Sequence, residues 1–142
     1  MTLSSDITDD GAAESILAIG SRATALAADE ALRCLDAFDP SYMDPDASAE
    51  CVDACRDAFT ILAAASEVLA GPERPARAAV TRRIVEAGLL AAVECAAQCE
   101  RWADEVPAAK SCAECCHQCA DVLRAVLREL ADESAAQMSG AT

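Results

Sequence analysis

Apolar residues recur every three or four positions along most of this chain, the spacing that places side chains on one face of an α-helix. Turn-forming residues interrupt the pattern at three places, 39–46, 71–75 and 104–107. The pattern therefore predicts helices at about 11–37, 47–70, 75–103 and 108–133, with loose tails at 1–9 and 134–142. Four long helices with short connections predict an all-α fold, a single antiparallel up-down-up-down four-helix bundle.

Cysteine occupies many of the core-facing positions of these predicted helices, and eight of the nine cysteines are spaced three or four residues apart. The nine are Cys34, Cys51, Cys55, Cys95, Cys99, Cys112, Cys115, Cys116 and Cys119. They fall where the first and third helices finish and where the second and fourth begin. Because neighbouring helices of such a bundle are antiparallel, we expect all nine thiols to point inward at one end, called here the thiol end.

Composition and charge narrow the class of protein. Alanine, leucine and valine dominate a hydrophobic content of 54%, and aromatic residues make up 3%, which favours close-packed helices. A formal net charge of −14 disfavours binding to nucleic acid or to anionic membranes. The first ten residues lack the basic and apolar regions of a secretory signal, and no apolar run is long enough to span a membrane. We therefore expect a cytoplasmic protein with reduced thiols.

Thiols that only fill space have no reason to gather at one end of a bundle, although free cysteine does serve as a small buried hydrophobic residue. A metal site explains the pattern better, since soft thiolates select Cu(I), zinc or iron–sulfur clusters. Zinc usually takes four ligands from tight turns, and iron–sulfur motifs are absent here. Cu(I) accepts few ligands, so two sulfurs one helical turn apart form a natural pair. The spacing favours Cu(I) and leaves a zinc or iron–sulfur site open as the alternative.

The segment Cys112-Ala-Glu-Cys-Cys-His-Gln-Cys-Ala-Asp121, together with the Cys-x3-Cys pairs of the second and third helices, resembles the cysteine-rich four-helix-bundle copper storage proteins of bacteria. The resemblance covers residues 11–133 and is closest to the cytosolic type. It implies that thiols inside the bundle bind several Cu(I) ions, and it implies a homo-oligomer, with tetramers common in that family. Thiols line only half of the core here, so the capacity expected is smaller, which leaves copper sensing or delivery as alternatives to storage.

Five other residues near the thiol end carry weaker expectations. His117 is the only histidine, and its helical position points away from the thiol face, towards solvent. Met43 is a soft potential ligand, but a loop methionine is usually a packing residue. Phe38, Tyr42 and Trp102 are expected to cap the end of the bundle.

Two other classes of function stay open at this stage. A thiol redox protein would need an exposed cysteine of low pKa beside a base, and His117 faces the wrong way for that. A scaffold protein would use the cysteines as core filler. Because no enzyme signature accompanies the cysteines, we expect a protein that binds metal without catalysing a reaction.

Overall fold

The computed structural model describes residues 14–41 and 43–140, and it consists of four long helices with no strand among these residues. The helices are α1 (Ile16–Ala37), α2 (Pro45–Ala70), α3 (Ala78–Glu100) and α4 (Pro107–Gly140). A short 3-10 helix, Pro75–Arg77, precedes α3. Each long helix packs along the next one in the chain, and α4 packs back on α1. The predicted all-α four-helix bundle is therefore confirmed.

Polar contacts between the helices establish their antiparallel order. Ser21, early in α1, donates to the carbonyl oxygen of Ser66, late in α2, at 2.9 Å. Arg82, early in α3, reaches the carbonyl oxygen of Leu130, late in α4, at 3.3 Å. The thiol end consequently holds the C-terminal ends of α1 and α3 and the N-terminal ends of α2 and α4.

Side-chain caps define the starts of α1 and α2, and most helix ends lie within a few residues of the prediction. Ser15 caps α1 through a hydrogen bond from the amide of Ala18, so this helix begins at Ile16 instead of residue 11. The Asp44 side chain accepts a hydrogen bond from the amide of Asp46, and Pro45 opens α2, two residues earlier than predicted. The α-helical part of α3 begins at Ala78, after the 3-10 turn, and ends at Glu100 instead of residue 103.

The prediction of a loose tail at 134–142 is wrong as far as Gly140, because α4 continues to that residue. The hydrophobic periodicity ends near Leu130, and residues 131–136 are almost all exposed. No proline or glycine occurs between Leu130 and Gly140, and alanine at three of these positions favours helix without burial. The predicted tail at 1–9 lies outside the described residues.

The core has two chemically different halves. Away from the thiol end it is aliphatic, and Leu62, Leu123 and Val126 are fully buried there. Gly20 and Gly88 allow this half to pack closely, because a β-carbon at Gly20 would lie 3.1 Å from the side chain of Val126. In the other half, cysteine sulfurs fill the space between the helices.

Candidate metal centre

Seven cysteine sulfurs form one continuous buried network between the four helices, at the thiol end. Neighbouring sulfurs in it are 3.5 to 4.0 Å apart, too far for a disulfide and close enough for thiol hydrogen bonds. All nine cysteines are free. This set, called here the thiol network, consists of Cys34, Cys51, Cys55, Cys95, Cys99, Cys112 and Cys116.

Cys99 lies at the centre of the thiol network. Its Sγ is 3.5 Å from that of Cys55, 3.8 Å from that of Cys34 and 3.9 Å from those of Cys51 and Cys95. These partners come from α1, α2 and α3, so one sulfur links three helices. The i, i+4 spacing within α2 and within α3 makes this possible, because it stacks two inward-facing thiols on successive turns of each helix.

The network contains two groups of four thiols whose Sγ atoms all lie within 4.8 Å of one another. The first group is Cys34, Cys51, Cys55 and Cys99, and the second group is Cys55, Cys95, Cys99 and Cys112. Four sulfurs about 3.8 Å apart at the corners of a tetrahedron leave each about 2.3 Å from its centre, the length of a metal–thiolate bond. Either group can therefore hold a metal ion, and the two share Cys55 and Cys99.

Hydrogen bonds between thiols divide the metal-free network into proton donors and proton acceptors. Contacts with Cys112, and then with Cys51 and Cys55, lower the pKa of Cys34 to about 5. A contact with Cys112 likewise lowers the pKa of Cys116 to about 5, whereas its partner Cys112 has its pKa raised. A thiolate is stable here only beside a thiol that keeps its proton, so a cation that replaces these protons relieves the crowding of sulfur.

Two cysteines of α4, Cys115 and Cys119, lie outside the thiol network. Cys119 is buried, and burial, followed by the charges of Cys116 and Cys115, raises its pKa to about 12. Cys115 is the one cysteine that is partly exposed to solvent. Burial, the neighbouring Cys116 and then the carboxylate of Glu30 raise the pKa of Cys115 to about 11. The predicted set of nine inward-facing thiols thus consists of eight buried thiols and one at the surface.

An aromatic pair covers the thiol end of the bundle. The rings of Phe38 and Trp102 meet edge to face with centroids 5.5 Å apart. Phe38 is buried, and Trp102 is held in a turn in which its carbonyl oxygen accepts a 2.8 Å hydrogen bond from the amide of Val106. Met43 is partly buried and packs against the same core, as expected for a packing residue. These positions agree with the predicted cap, except that Tyr42 lies outside the described residues.

His117 points out of the bundle, as its position in the sequence predicts. Its side chain is exposed, and Nε2 lies 3.0 Å from the Glu100 carboxylate. It belongs to neither four-thiol group. The imidazole therefore faces solvent and pairs with the Glu100 carboxylate, outside the four-thiol groups.

No protein family matches the sequence, and no curated protein matches it. In the described part of the chain, no helix is long and apolar enough to cross a membrane. The fold and the site together define a cysteine-rich four-helix bundle whose buried thiol groups can hold a metal ion.

Proposed function

We propose that this protein binds Cu(I) and stores or sequesters it in the thiol network, without catalysing a reaction. The observation that carries the proposal is the sharing of Cys55 and Cys99 between two adjacent four-thiol groups. Shared sulfurs suit a cluster of several ions bridged by thiolates. A single structural zinc ion would need only four of the nine thiols.

The chemistry of the ligands supports copper as the metal. The described site offers sulfur from helices, and thiolates favour soft ions such as Cu(I). The helical pairs give each ion two or three sulfurs without help from loops. If every ion takes two thiolates and no thiolate is shared, the seven cysteines of the thiol network hold about three ions per chain, and shared thiolates allow more. The resemblance of the cysteine motifs to bacterial copper storage proteins points the same way. The proposal includes a reducing, cytoplasmic location, in which the thiols would stay free.

Zinc is the second candidate, because either four-thiol group supplies the four sulfurs that a zinc tetrathiolate site requires. The two metals make different predictions. Two zinc sites of four thiols each cannot form independently in the network, since the groups share two sulfurs. Because zinc takes four sulfurs per ion and Cu(I) only two or three, the network should hold fewer zinc ions than copper ions.

An anaerobic titration tests the proposal. The reduced, metal-free protein is mixed with a chromophoric Cu(I) chelator, and Cu(I) is added in steps. We expect the protein to withhold several equivalents of copper per chain before the chelator gains colour. If the chelator takes copper from the first equivalent onward, the copper proposal is wrong. A parallel zinc titration with a zinc chelator then decides whether zinc is the metal.

A further inference from the structure

Copper can approach the buried thiols along the bundle axis or from the side of the bundle, and the access that these two routes give is different. Along the bundle axis, the T-shaped pair of Phe38 and Trp102 lies over the end of the network. Phe38 and Val106 are both buried there, at 8% and 4% exposure. The cap is held by the turn between α3 and α4, in which the Val106 amide bonds to Trp102. At this end an approaching ion therefore meets buried and half-buried apolar side chains and no exposed thiol.

The side of the bundle between α1 and α4 is different, because a thiol reaches the surface there. Cys115 of α4 is partly exposed, and the charged groups of Glu30 and Arg33 on α1 act on it. Ser111, one turn before Cys115, donates a 2.8 Å hydrogen bond to Glu30. Arg33 lies 3.4 Å from the same carboxylate. These contacts hold α1 and α4 together beside the exposed sulfur and offset the negative charge of Glu30.

Two further thiols of α4 lie close to Cys115 along the chain. Cys119 lies one helical turn beyond Cys115 on the same helix, and it is buried. Cys116 is the next residue in the chain, and its Sγ is 4.0 Å from that of Cys112 in the second four-thiol group. Cys112 in turn lies 3.6 Å from Cys95. The partly exposed Cys115 thus lies outside the thiol network but is adjacent in the chain to Cys116, whose sulfur belongs to it.

We propose that Cys115, at the contact between α1 and α4, is the thiol through which Cu(I) from a thiolate-bound donor reaches the thiol network. This rests on the proposed copper function. Cys115 and Cys119 belong to neither four-thiol group, and this proposal gives them a role of their own. They accept an ion at the surface and pass it inward.

The transfer is a ligand exchange. The sulfur of Cys115 forms a bond to Cu(I) that a donor thiolate still holds, and the bond between copper and the donor then breaks. The proton of the Cys115 thiol passes to the released donor thiolate. Copper stays in the +1 state throughout, so the step needs no oxidant or reductant. The buried thiols take the ion onward in the same way.

The test measures how fast the metal-free protein takes Cu(I) from a complex of Cu(I) with glutathione, without oxygen, by the ultraviolet absorbance of the new copper–thiolate bonds. We expect Cys115→Ala to slow uptake by about tenfold or more, because the remaining thiols react only when the bundle opens locally. Its final copper content should fall by no more than about one ion, as expected for the loss of one thiol of nine. The matched control is Gln118→Ala, an exposed position on the same helix, which should load at the wild-type rate.

Uptake by Cys115→Ala at the wild-type rate would overturn the proposal. A wild-type protein that takes no copper at all would instead overturn the proposed function. A second measurement needs no variant: brief treatment of the folded, reduced protein with iodoacetamide, followed by peptide mapping, should modify Cys115 first. Equally fast modification of Cys51 or Cys34, beneath the aromatic cap, would contradict access through Cys115.

Discussion

Replacing Cys99 by alanine should weaken copper binding more than replacing any equally buried thiol outside the thiol network. Cys99 belongs to both four-thiol groups, so its loss leaves each group with three sulfurs. Cys119 is the matched control, since it is also almost completely buried and belongs to neither group. The two variants each lose one buried sulfur, and they differ only in whether that sulfur belongs to the four-thiol groups.

The expected magnitudes follow from this comparison. Without metal, each substitution removes one buried heavy atom and should lower the free energy of unfolding by about 1 kcal/mol. With copper, losing one thiolate should cost more than losing a charged hydrogen bond, roughly 1.5–3 kcal/mol, which raises the dissociation constant at least about tenfold. Cys99→Ala should show this weakening for two ions, one in each group, and Cys119→Ala for neither.

Anaerobic competition with a Cu(I) chelator measures both variants, and urea unfolding of the metal-free proteins checks that their stabilities match. If Cys99→Ala binds as much copper as the wild type and binds it as tightly, the role given to this sulfur is refuted. An equal loss of tightly bound copper in the two variants would refute the distinction between the thiol network and the outer thiols.

Three further predictions concern stability. Burial raises the pKa of Cys115 to about 11 and that of Cys119 to about 12, so above about pH 9 the unfolded chain loses protons that the folded chain keeps. The metal-free protein should therefore lose stability as the pH rises from 9 to 12. Urea midpoints that stay constant over this range would contradict the burial of these thiols. Leu123→Ala, in the aliphatic half, should cost about 2–5 kcal/mol in urea unfolding and leave the copper stoichiometry unchanged; a fall in stoichiometry would mean that the two halves are not independent. Copper loading should raise the thermal midpoint of the wild type, because only the folded chain assembles the network; an unchanged midpoint would argue against binding by these groups.

The sequence alone predicts most of the fold and the location of the thiols. Helical periodicity and three breaks are enough for the four helices, and antiparallel order then brings the cysteines to one end. The extension of α4 to Gly140 is not predicted, because the residues after Leu130 have no apolar periodicity and are helical through local propensity.

The grouping of the thiols is beyond sequence pattern. A helical wheel places Cys112, Cys115, Cys116 and Cys119 on one broad face and cannot tell which part of that face turns to the bundle axis. The packing of α4 against α1 and α3 decides it: Cys112 and Cys116 join the network, while Cys115 reaches the surface beside α1. The central position of Cys99 likewise depends on distances between helices that spacing along the chain does not contain.

Crystals of the copper-loaded protein, measured on both sides of the copper absorption edge, would test the central claim most directly. The account predicts an anomalous copper peak within each four-thiol group. One lies among the sulfurs of Cys34, Cys51, Cys55 and Cys99, and the other lies among those of Cys55, Cys95, Cys99 and Cys112. Copper bound only on the surface, for example at His117 and Glu100, with no anomalous signal among the buried thiols, would contradict it.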